Sequence, residues 1–149
     1  MCNLSNFILS TLALISIGNI GYNSYIISEK KNDFTCGNLN YGFISGLSAF
    51  SLLLLSIILN YKTRGFKPLL LIGSLGILGT LGYNIYLYKT SSNTCSQHYN
   101  IHDTNFWYYG GYLIVHIFTS VLILLYYLLQ LIYKRTNYYN KYYNYEDRL

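Results

Sequence analysis

The stretch TNFWYYGGYLIVHIFTSVLILLYYLLQLIY, residues 104–133, carries no Asp, Glu, Lys or Arg. A helix that rises 1.5 Å per residue needs about 20 residues to cross the ~30 Å of hydrocarbon in a bilayer, and this stretch exceeds that. Three more stretches, 1–28, 34–61 and 68–88, exclude all four charged types in the same way. One charge held at the bilayer centre costs about 2.5–3.5 kcal/mol on insertion scales, so solvation by lipid explains the pattern. The sequence predicts an all-α integral membrane bundle of four transmembrane helices, with spans at about 4–28, 41–61, 68–88 and 106–133. They form one domain, 1–133, followed by a Tyr-rich tail, 134–149.

Four spans and their connections consume most of the 149 residues, so any chemistry is expected inside the bundle or in two small loops. Only 10% of residues are charged, which suits a lipid-solvated chain better than a water-solvated one. The net charge of +5 lies beside the spans and reads as a topology signal rather than a nucleic-acid footprint. Lys62, Arg64 and Lys67 in the middle connection, with Lys134, Arg135, Lys141 and Arg148 in the tail, outnumber Lys30, Lys31 and Lys89 on the opposite side. The positive-inside rule then places both termini in the cytoplasm or its equivalent. The sequon at Asn3 falls on that side and is expected to stay unmodified.

An internal likeness links the first and third spans. GNIGYNSY (18–25) and GTLGYNIY (79–86) share both Gly, both Tyr and the Asn at one offset of 61. Thr35-Cys36 answers Thr94-Cys95 downstream, and Tyr61-Lys62 answers Tyr133-Lys134 at the ends of the second and fourth spans. The expected architecture is two similar helical hairpins running parallel, related by an axis along the membrane normal. A biased composition rich in Tyr, Gly and Asn is the competing explanation. The likeness also argues that residues 1–28, which lack a basic leading segment, are retained structure rather than a signal peptide.

Cys36 and Cys95 fall on the non-cytoplasmic side at corresponding points of the two halves. Two readings stand: a disulfide joining the hairpins, worth up to about 4 kcal/mol by loop-closure entropy, or two free thiols in a reducing compartment. No C-x-x-C occurs, which disfavours a thiol oxidoreductase. Cys95, His98, His102 and Asp103 have spacing compatible with a zinc or copper site, but the matching loop of the first half has no His, and a solvated polar loop is expected. Cys2 is an acylation candidate whose simpler reading is an inert thiol.

Asn23, Asn84 and His116 are the polar residues that stand out within the spans. An amide or imidazole facing lipid is costly, so all three are expected to face the bundle and bond across helices, at about 0.6–2 kcal/mol per contact. His116 carries a proton-relay or haem reading only with an inward-folding partner such as His98 or His102. Gly73, Gly76, Gly79 and Gly82, with Gly18, Gly21, Gly42, Gly46 and Ala49, are expected to mark where spans pack. Tyr41, Tyr88, Trp107, Tyr108 and Tyr109 read as an aromatic belt, and the tail tyrosines as an interfacial segment.

No catalytic residue, cofactor or metal site is expected. The expected function is that of a multi-pass membrane protein of structural, anchoring or accessory-subunit type, in contact with the lipid bilayer, in a homo-oligomer or larger membrane assembly. A small oligomeric transporter or channel is the alternative, and a membrane redox protein the third reading.

Overall fold

The computed structural model of the chain describes residues 2–29, 38–63, 67–94 and 104–146, with side chains placed for 4–29, 38–62, 68–91 and 108–136. Every element is an α-helix: α1 (Cys2–Glu29), α2 (Leu39–Thr63), α3 (Lys67–Thr94) and α4 (Thr104–Glu146). Each contains a segment long and apolar enough to cross a membrane: Leu4–Glu29, Leu39–Lys62, Pro68–Ser91 and Tyr108–Thr136. This all-helical structure is compatible with an integral multi-pass membrane protein.

Local chemistry sets several boundaries. Pro68 sits in the first turn of α3, where its missing N–H costs nothing because that donor has no helical partner. Asn38, at φ 59°, takes the left-handed conformation that Asn tolerates and leads the chain into α2. No Gly or Pro follows Gly111, so nothing breaks α4, which runs past Lys134 and Arg135 to Glu146. The first part of the tail is thus helical and continuous with the fourth span.

Short connections make consecutive helices antiparallel neighbours, and contacts between α1 and α4 close the ring. The α1–α2 and α2–α3 pairs pack most intimately, and α1–α4 least. At Gly73 a Cβ would lie 2.7 Å from the Ser56 hydroxyl and 3.1 Å from the Leu53 Cα, so α2 and α3 approach almost backbone to backbone there.

Large apolar side chains cover the outside of the bundle as well as filling its core, and several polar ones are buried with them. Leu14 is 71% exposed, Ile114 69% and Phe7 68%, while Ser16, Asn23, Ser56, Asn84, His116 and Thr119 are buried. Water would penalise that arrangement, whereas lipid accepts apolar side chains outside and rejects polar ones. Much of the buried hydroxyl content is bonded within its own helix: Ser16, Ser74, Thr119 and Ser120 each donate to the carbonyl four residues earlier, at 2.7–3.0 Å.

Four of the glycines depart from the sequence expectation. Gly18, Gly21, Gly79 and Gly82 lie exposed on the outside of the bundle, with no heavy atom within 4 Å of where a Cβ would stand. Close packing inside the chain uses Gly42, Gly46 and Gly73 instead.

Candidate functional site

Antiparallel alternation brings the C-terminal halves of α1 and α3 level with the N-terminal halves of α2 and α4. Asn23 (α1), Gly42 and Gly46 (α2), Thr80 and Asn84 (α3), and Tyr109, Tyr112 and His116 (α4) therefore share one end of the bundle. Each set is spaced by three, four or seven residues, which puts it on one face of its helix. Asn23, Asn84, Tyr109 and His116 have no exposed surface, and Tyr112 is 3% exposed.

The centre of this layer is a hydrogen-bonded chain. Tyr109 donates its phenol to Asn84 Oδ1 at 2.5 Å, and Asn84 Nδ2 donates to the Thr80 carbonyl at 2.8 Å. His116 Nε2 lies 3.1 Å from the Ile77 carbonyl and 3.1 Å from Thr80 Oγ1. A carbonyl can only accept, so Nε2 carries the hydrogen, and Thr80 directs its own toward the Gly76 or Ile77 carbonyl at 2.9 or 3.1 Å. Nδ1 is then a bare lone pair, buried and without a hydrogen-bond partner among the described residues.

Tyr112 stands between the two asparagines, close enough to interact with both, and its hydroxyl lies 3.4 Å from the Gly42 carbonyl. Asn23 differs from its counterpart: neither its amide nitrogen nor its oxygen completes a hydrogen bond among the described residues. Asn84 thus reaches squarely across to α4, while Asn23 has only its approach to Tyr112. Aromatic rings wall the layer, with Phe43 against Tyr109 at 5.2 Å and Tyr112 at 5.1 Å, and Phe50 against His116 at 5.1 Å. The glycines of α2 make room for the phenols. A Cβ at Gly42 would collide with the Tyr109 hydroxyl and Asn84 Oδ1, and one at Gly46 with the Tyr112 hydroxyl.

Tyr109 corrects the aromatic-belt reading, since it is sealed in the core, while its neighbour Tyr108 is 57% exposed. Tyr112 and Thr80 carry no distinct functional signal in the sequence. The signal that could have found the tyrosines is their spacing from His116, which puts all three on one face of α4. A second set of cross-helix bonds ties the opposite end: Gln130 Nε2 donates to Ser5 Oγ at 2.9 Å, and Ser74 and Tyr127 share a hydroxyl contact at 3.3 Å.

Cys36, Cys95, His98, His102 and Asp103 lie outside the described residues. So does Cys2 as a side chain, together with Trp107 and the tail tyrosines. Among the described residues no three His, Cys, Asp or Glu side chains gather to hold a metal ion. Comparisons with protein-family models, with curated proteins and with solved structures find no significant match to this chain.

Chemically, the layer offers neutral donors and acceptors that couple α3 to α4. Asn23 carries little of that coupling. Asn23→Leu is expected to change stability by less than about 1 kcal/mol, because the amide it removes has only a weak contact with the Tyr112 hydroxyl. Unfolding in mixed detergent, followed by helical circular dichroism, checks this.

Proposed function

We propose that this chain is a non-catalytic, multi-pass membrane protein that anchors or organises a larger assembly by lateral association of its helices. The observation that carries this reading is the outward placement of Gly18, Gly21, Gly79 and Gly82. Lipid tails are as apolar as leucine, so helices associate in a membrane through close van der Waals fit, and small residues permit that fit. The bundle leaves these four positions unfilled, on the two segments that resemble each other in sequence. A duplicated hairpin presents two similar faces, and a protein with two such faces can bind two similar partner helices, from other copies or from another subunit. The absence of any Asp, Glu, Lys or Arg from 104–133 and its counterparts fits a role without proton or ion chemistry in the spans. In this reading both termini, and the helical extension of α4, face the cytoplasm or its equivalent.

The combined variant Gly21→Leu with Gly82→Leu tests the proposal. Both sites are open, so the bundle is expected to keep its helicity and melting behaviour. Association with copies or partners, read by native electrophoresis and cross-linking in a mild detergent, is expected to weaken roughly tenfold or more, about 1.4 kcal/mol. Unchanged association would remove the basis of the reading.

A second reading, a small transporter, is favoured by one observation: His116 Nδ1 is a buried polar atom without a hydrogen-bond partner among the described residues, and Asn23 in the same layer is poorly bonded. Such atoms can receive water or a small polar solute. Flux into liposomes that is lost in the Asn84→Leu variant would move the assignment to transport.

A further inference from the structure

Ile114, Ile117, Val121, Leu124, Leu128 and Leu131 alternate by three and four residues along α4, and all are exposed. The opposite face, with His116, Thr119, Ile123 and Tyr126, is buried in the chain's own bundle. Within lipid an apolar stripe carries no information, because both surroundings are apolar. This helix outruns the lipid, however. The 29 residues of the span Tyr108–Thr136 rise about 43 Å, enough for a bilayer with its headgroups, and α4 continues to Glu146. No Gly or Pro kinks the extension, so it leads away from the membrane surface. Among the described residues α1 and α3 do not accompany it. Gln130 donates to Ser5, and Tyr127 meets Ser74, so these helices, which start at Cys2 and Lys67, begin near the level of Tyr133 and Lys134.

In water the register of a helix regains meaning. Arg135, Tyr138, Tyr142 and Tyr145 continue the alternation of three and four, so they fall on the face that is outward in the span. Asn137, Asn140 and Asn144 fall on the face whose continuation in the span packs into the bundle. The aromatic face of the extension thus lies on the side away from its own chain. A short helix in water is marginal unless such a face is covered.

We propose that α4 forms a parallel, two-stranded coiled coil with α4 of a second copy of this chain, from 114 through 145. Copies inserted alike in one membrane present this helix in parallel. In heptad terms Ile114, Val121 and Leu128 take the a positions, and Ile117, Leu124 and Leu131 the d positions. The β-branched Ile114 and Val121 at a, with Leu124 and Leu131 at d, favour two strands. Arg135 is the charged a residue, and a polar residue there fixes the stagger at some cost in stability. Lys141 and Glu146 take g and e positions, where opposite charges pair between the helices of a coiled coil and set their orientation. A lipid surface does not take the tyrosine face, because the extension leads away from it. The seam is separate from the glycine faces of α1 and α3, so the inference does not rest on their role.

The test uses the full-length chain, purified and reconstituted in phosphatidylcholine liposomes, with the photo-crosslinker p-benzoylphenylalanine in place of Tyr142 or, as the control, of Asn140. Light is expected to convert the first form into a covalent species of twice the chain mass, linked to 138–146 of the second copy, and to leave the control largely unlinked. Tyr138→Glu with Tyr142→Glu is expected to weaken self-association roughly tenfold or more, read by energy transfer between labelled copies on dilution with lipid. Asn140→Glu with Asn144→Glu adds the same charge on the other face and is expected to leave association close to that of the wild type. These positions lie beyond the bundle, so its melting transition is expected to stay unchanged in both. Gly21→Leu with Gly82→Leu is expected to leave the Tyr142 adduct in place while it lowers association beyond the dimer, which separates failure of this inference from failure of the glycine-face reading. Equal linking from the Tyr142 and Asn140 positions would overturn the coiled coil. So would adducts to lipid alone, a link to the second copy outside α4, equal effects of the two Glu pairs, or loss of the adduct in the glycine variant.

Discussion

Gly46→Ala is expected to destabilise the bundle by about 1–3 kcal/mol or more, although it adds a single methyl group. A Cβ there would fall on the Tyr112 hydroxyl, with the ring carbon behind it at 2.9 Å and Asn23 Nδ2 at 3.3 Å. A flexible side chain would swing aside, but Tyr112 is held by Phe43 at 5.1 Å, Tyr109 at 5.7 Å and His116 at 5.6 Å. The strain must therefore spread into the α2–α4 spacing. Tyr112→Phe removes the atom in the way, so Gly46→Ala with Tyr112→Phe is expected to recover a large part of the loss. The coupling in that double-mutant cycle reports the collision directly. Gly21→Ala is the matched control. It adds the same methyl where nothing stands within 4 Å, and is expected to be neutral or slightly stabilising, since alanine favours helix over glycine. Equal effects at Gly46 and Gly21 would mean that the phenol does not occupy the space beside α2.

Asn84→Leu carries the second large effect, an expected loss of about 1–3 kcal/mol. It leaves the Tyr109 phenol without its acceptor in a fully buried site and removes the Nδ2 bond to the Thr80 carbonyl. Tyr109→Phe is expected to cost less, because Asn84 keeps its bond to Thr80. The double variant is expected to lose less than the sum of the two, since neither orphaned group is then left behind. Measured cross-helix bonds in membranes run roughly 0.6–1.7 kcal/mol, because the unfolded helices in lipid also find partners, and the coupling should fall in that range. Asn23→Leu makes the comparison sharp: the same substitution at the equivalent sequence position removes only a weak contact with the Tyr112 hydroxyl. Equal losses from Asn23→Leu and Asn84→Leu would contradict the asymmetry between the two amides.

The candidate layer was partly legible in the sequence, and the reason differs from residue to residue. Asn84 and His116 stand out because a polar side chain in an uncharged apolar span has to find an acceptor or a donor. Tyr109 does not stand out, because tyrosine belongs equally to an interface belt and to a buried bond, and it sits near a helix end. Gly42 and Gly46 were legible as small residues. That they accommodate phenols from α4, rather than the backbone of a neighbour, depends on a partner distant in the chain. The continuation of α4 to Glu146 follows from the lack of any Gly or Pro after Gly111, a local cue that the charged boundary at Lys134 obscured.

Charge exclusion alone determined that this chain has four helices long and apolar enough to cross a membrane and roughly where each apolar segment lies, though not where α3 and α4 end. The reason is energetic: a misplaced charge in hydrocarbon costs more than any single packing contact returns. Only the tertiary structure decided how each helix is rotated about its own axis. In water the hydrophobic stripe of a helix points to the core, but in lipid both surroundings are apolar and the stripe carries no such information. Gly21 and Gly82 therefore turn outward while Gly46 turns inward, and Asn84 bonds a phenol squarely while Asn23 only approaches one. Those choices rest on steric fit and on the pairing of a few polar groups between helices far apart in sequence.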